Sequence, residues 1–173
     1  MELYHISENI YERGEVVRAK DFGDSTRYHQ SLSEENKVID LYLSSVRPEG
    51  EPERQLCIYA FAKMEYCLYF MRKDMQDGKK LHLYSCEMNT QNGHPMYLIR
   101  SLQQCTDEGK KEAISKDYWQ PTKNWNVLEY MSDEMCVLEE IPITGALCTR
   151  AFGMTGFAYS DDASKSMRLF GYN

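Results

Sequence analysis

The sequence predicts a single α+β domain. Segments with strand character outnumber those with helical periodicity, and the two kinds do not alternate as regular strand–helix units. No repeat or low-complexity linker divides the 173 residues. A composition of 42 % hydrophobic and 27 % charged residues is ordinary for a globular chain, and one domain of this length buries a proper core.

Each element has its own signal. Glu2–Ser7 reads as a strand, and Glu15–Arg18, after Gly14, as a second. Ser31-Leu32-Ser33-Glu34 has capping-box spacing ahead of a helical stripe of Val38, Ile39, Tyr42, Leu43 and Val46, which Arg47-Pro48-Glu49-Gly50 stops. Gln55–Phe61 is apolar on both faces, as a central strand is. Met64, Cys67, Leu68, Met71 and Met75 recur at helical spacing up to Asp77-Gly78. Lys80–Met88 alternates as a strand, Asn92-Gly93 turns the chain, and Pro95 suits a first helical position before Tyr97, Leu98, Leu102 and Cys105. Asp107–Trp119 reads as an exposed helix with little to bury beyond Ala113, Ile114 and Tyr118. Met135–Ile141 is a strand ended by Pro142, and Gly145–Tyr159 has the composition of one or two more.

Composition also bounds function. Twenty Lys and Arg against 27 Asp and Glu leave a net charge of −7, which argues against stable, non-specific nucleic-acid binding. No apolar run approaches the roughly 20 residues that span a bilayer, and no charged start precedes a long apolar stretch. A soluble protein without a membrane partner is expected. The six cysteines include no CxxC pair and stand mostly within apolar stretches, so reduced core thiols and a cytoplasmic setting, in its own cell or a target cell, are expected. Thirteen tyrosines against six phenylalanines suit a half-wet cleft, where a ring packs and a hydroxyl bonds. Glycine loops for phosphate, metal-ligand spacings and the GxSxG serine motif are all missing from the sequence.

Three local features converge. Leu3-Tyr4-His5-Ile6-Ser7 puts a histidine inside the first strand, with a small hydroxyl residue after it. Ile58-Tyr59-Ala60-Phe61 is a strand that runs straight into a helix. Trp125-Asn126-Val127-Leu128-Glu129-Tyr130 carries a carboxylate shortly before the strand Met135–Ile141. In this order and spacing the features resemble the mono-ADP-ribosyltransferase fold of the His-Tyr-Glu type, and bacterial members of that fold that open on a YH-[IV]-S strand. The resemblance covers residue 2 to about 141. Family first strands often read His-Gly-Thr or His-Gly-Ser, whereas this one reads His5-Ile6-Ser7.

The resemblance implies a split antiparallel sheet with flanking helices and NAD, as substrate, in a central cleft. The implied activity is transfer of ADP-ribose to a macromolecular acceptor, with NAD hydrolysis as the nearest variant. Cleaving nicotinamide from ribose builds an oxocarbenium-like positive charge, and a carboxylate bonded to the ribose 2′-hydroxyl stabilises it. Glu129 would take that role, with Glu134, directly before the strand, as its rival. Leu128-Glu129-Tyr130-Met131 is similar to the glutamate step of DNA-targeting members. His5, with Ser7 beside it, would bind the adenosine ribose, and Tyr59 would stack on nicotinamide. Arg18 would reach the pyrophosphate, and Tyr28 would cover the pocket from a loop. Arg54 reads instead as a structural partner of the preceding helix. Two alternatives stay open: an RNA 2′-phosphotransferase, and a catalytically silent interaction or inhibitor module of the same fold.

Overall fold

A computed structural model describes residues 1–22, 33–90, 92–121 and 125–153. Its seven strands are β1 (Glu2–Ser7), β2 (Val16–Arg18), β3 (Ile58–Phe61), β4 (His82–Met88), β5 (Gly93–Pro95), β6 (Leu128–Ser132) and β7 (Glu134–Ile141). They form one antiparallel sheet in the order β2-β7-β4-β1-β3-β6-β5. Six helices accompany it: α1 (Glu34–Ser45), α2 (Met64–Phe70), α3 (Arg72–Gln76), α4 (Met96–Gln104), α5 (Glu108–Trp119) and α6 (Gly145–Phe152). The α+β class is thus borne out among the described residues.

Alternation along the strands sorts the core. Leu3, Ala60, Cys86 and Val137 share one cluster, which Tyr11 covers, its ring 5.3 Å from that of Tyr84. From the other side Ile6, Phe61 and Leu83 meet α2 and α6, while Tyr59 and Met131 meet α1, α4 and α5. Leu83 through Cys86 are buried on both faces because β4 lies inside the sheet, between β7 and β1.

Several expectations are corrected. Ser33, rather than Ser31, caps α1, its side chain accepting from the Asn36 amide; Ser31 lies outside the described residues. The helical stripe from Met64 to Met75 breaks at Met71 (φ −91°, ψ 11°) into α2 and α3. Pro95 closes a short strand, β5, and is also the N-cap of α4, one position ahead of its first helical residue, Met96; the turn expected at Asn92-Gly93 runs into that strand, of which only three residues pair. Gly93 there lies so close to β6 that a Cβ would stand 2.9 Å from the Leu128 Cβ. Gly145–Phe152 is a helix, capped by the Thr144 side chain on the Leu147 amide, and not a strand. Its Gly and Thr content suggested strand, but Leu147 and Ala151, four apart, bury together against α2. The strand expectation for 154–159 lies outside the described residues.

The junction of β1 and β3 sets up the site. β1 meets β4 at six register positions and β3 at one, Tyr4 opposite Phe61. The sheet is continuous there by a single bridge, and the two strands part beyond it.

Candidate functional site

Where β1 and β3 part, a side chain replaces the backbone ladder. His5 Nδ1 donates to the Tyr59 carbonyl at 2.8 Å. A cleft of about 360 Å³ opens at this seam, within the size range of small-molecule sites. His5, Ser7, Tyr59 and Glu129 all line it, together with apolar side chains that include Phe61, Phe70 and Met135. Residues separated by more than a hundred positions in sequence therefore share one cavity.

The chemistry of His5 follows from its partner. A carbonyl only accepts, so Nδ1 carries the proton and Nε2 keeps its lone pair. Burial pushes the imidazole below its usual pKa, against the opposing pull of the Tyr59 hydrogen bond, so the ring is neutral at neutral pH. A neutral imidazole of this tautomer offers an acceptor, which suits a hydroxyl donor. Tyr59 is half-buried; its hydroxyl donates to the Arg54 carbonyl at 2.5 Å, and the Arg54 guanidinium lies 5.2 Å from its ring centre.

Glu129 sits on β6 with 2 % of its surface exposed. The sequence placed it ahead of a strand; it lies within one, because Leu128–Ser132 pairs with both β3 and β5. Its Oε1 accepts from Arg54 Nη1 at 2.5 Å and from the Tyr118 hydroxyl at 2.6 Å, while Arg54 also donates to the Tyr118 oxygen. Arg54 Nε completes the set on Asp40 of α1 at 2.7 Å, as its reading as a partner of the preceding helix anticipated. Burial works against the guanidinium's charge, but Glu129, with Tyr118, Tyr59 and Asp40, outweighs it and raises the Arg54 pKa further. Burial also lifts the Tyr118 and Tyr59 phenols well above their usual range, Arg54 opposing and Glu129 adding, so both keep their protons.

Other candidates stand elsewhere. Arg18 and Glu134 pair across β2 and β7 at 3.3 Å, each about half exposed, and neither lines the cleft. Alternation explains the placement: their strand neighbours Val17 and Met135 line it instead. Tyr28 lies outside the described residues. Among the described residues the lysine lining the cleft is Lys79, tied to Asp74 at 2.6 Å and Glu8 at 3.0 Å. Cys57 also lines it, but burial pushes its thiol up to about 12, so it packs as a thiol and is no nucleophile at neutral pH. All six cysteines are free.

Asp40, and the bonding of Tyr118 to Glu129, escaped the sequence reading. Asp40 carried a signal: a carboxylate between Ile39 and Tyr42 on an apolar stripe needs a buried cation. The charged helix α5, expected to bury little beyond Ala113, Ile114 and Tyr118, buries Tyr118 together with Ser115 and Trp119 in its second half, while Ala113 is exposed. No family model matches the chain, and no curated protein matches it. No helix among the described residues is long and apolar enough to cross a membrane.

Proposed function

We propose that the cleft binds NAD and that the protein transfers ADP-ribose from it to a macromolecular acceptor, in the cytoplasm of its own or a target cell. One observation carries the reading: His5, Tyr59 and Glu129, which the resemblance links to NAD, line the same cleft at the parting of the sheet. The groups suit the chemistry. The His5 Nε2 lone pair accepts from a ribose hydroxyl, and Ser7 lies beside it. Tyr59 offers an aromatic face to nicotinamide, and the Glu129 carboxylate stabilises positive charge as it grows on the ribose. Arg18, engaged by Glu134 at the sheet edge, takes no part in this scheme.

A second reading is favoured by the engagement of Glu129 itself. Its Oε1 accepts from both Arg54 and Tyr118, as in a buried structural ion pair, which fits the catalytically silent module. Labelled NAD separates the two. Nicotinamide release that stops in Glu129→Gln and persists in Glu134→Gln, with label passing to a component of a cell lysate, is the expected outcome. Release without label transfer makes the protein an NAD glycohydrolase. Neither release nor an NAD-dependent rise in melting temperature overturns the enzyme reading.

A further inference from the structure

We propose that Arg54 and Tyr118 are positioning residues that hold the Glu129 carboxylate in one orientation in the wall of the cleft, and that Arg54 fixes the Tyr59 ring beside it. The inference rests on the role given to Glu129 and says how the fold equips that residue for it.

A carboxylate 2 % exposed stays charged only where a cation and hydrogen bonds replace its lost water. Here two donors from two different elements converge on one oxygen, Oε1: Arg54 from the turn before β3 and Tyr118 from α5. Two donors on the same oxygen fix the carboxylate's rotation about its last bond. Arg54 is itself held at several points. Asp40 takes its Nε, and its guanidinium lies 5.2 Å from the ring centres of both Tyr59 and Tyr118. Its backbone carbonyl accepts the Tyr59 hydroxyl. The aromatic and the acidic group of the cleft are thus both referenced to one arginine.

Both carboxylates, Asp40 and Glu129, are bound by the one guanidinium. His94, opposite Glu129 in the β5–β6 register, adds no cation: burial lowers its pKa, against the Tyr118 carbonyl and the carboxylates of Glu129 and Glu51.

The test uses the full chain with its glutamate side-chain carboxyls labelled with carbon-13. Comparison with Glu129→Gln assigns the Glu129 resonance. Tyr118→Phe removes one hydroxyl and leaves the ring to pack between His94 and Trp119, and circular dichroism checks that the fold is kept. Expected is a displaced Glu129 carboxyl resonance at neutral pH, because one of the two donors on Oε1 is gone. Nicotinamide release should fall with it, kcat about tenfold lower or more and KM within about twofold. Arg54→Lys, which keeps the charge and loses the fork, should displace the resonance as well. A folded Tyr118→Phe protein whose Glu129 resonance is unchanged overturns the proposal. Absence of release from the unaltered protein would remove the NAD reading alone, because the resonance still decides whether these residues hold Glu129.

Discussion

Replacing Arg54 with methionine tests whether the buried charges act as a unit. The variant keeps roughly the length of the side chain but takes the guanidinium away from Asp40 and Glu129, 3 % and 2 % exposed. It also loses the guanidinium over two tyrosine rings. Removing one partner of a buried ion pair costs about 3–5 kcal/mol. Against a total stability of ~5–15 kcal/mol that is a large share, and for a chain of this size it lowers Tm by about 6–20 °C. Thermal melts followed by circular dichroism at neutral pH read the effect. A loss below about 1 kcal/mol refutes the account of Arg54 as a cation that compensates these buried acids.

Two further outcomes follow from local geometry. His5 and His94 both have pKa values lowered from 6.5 by burial, so the stability they allow is complete above about pH 6.5 and lost as pH falls toward their folded values. Tm should drop on going from about pH 7.5 to 5.5, and His5→Gln should flatten the fall; a level profile in the unaltered protein contradicts this. Gly93→Ala should cost about 1–3 kcal/mol, since its Cβ would meet Leu128 and Tyr130 at 2.9 Å, and urea unfolding at unchanged m-value measures it.

What the sequence made legible and what it hid divide along physical lines. β1, β3, β4 and β7 carry continuous apolar or alternating runs, and α1 and α4 carry stripes at helical spacing; such patterns are local and were read correctly. β5 and β6 were missed as strands because pairing partners, not their own residues, make them strands: Gly93-His94-Pro95 has no strand propensity, yet it pairs residue for residue with Tyr130, Glu129 and Leu128. Helix α6 hid behind Gly and Thr, which propensity reads as non-helical, although Leu147 and Ala151 give it a buried face. At the site, the same distinction holds. His5, Tyr59 and Glu129 could be singled out by order and residue type, whereas the meeting of Arg54, Asp40 and Tyr118 depends on where α1 and α5 pack. The position of Arg18 turned on the parity of a three-residue strand, which sequence does not resolve.

The Glu129 ion pair serves both readings of the protein, so its presence does not choose between them; what separates them is whether apolar groups can replace it. A buried ion pair that only supports the fold is exchangeable for hydrophobic side chains of similar size, often with no loss of stability. A carboxylate that must face growing positive charge is not exchangeable, since its value appears only in the transition state. Combining Arg54→Met with Asp40→Leu, Glu129→Leu and Tyr118→Phe removes all three charges together with the buried hydroxyl that bonds to two of them. Most of the stability lost in Arg54→Met alone should return, because the penalty there comes from uncompensated acids rather than from the missing bonds themselves. If the combined variant also releases nicotinamide at the unaltered rate, Glu129 has no catalytic role. Recovered stability with no release would instead show that the charges are kept for chemistry at the cleft, because the fold can do without them.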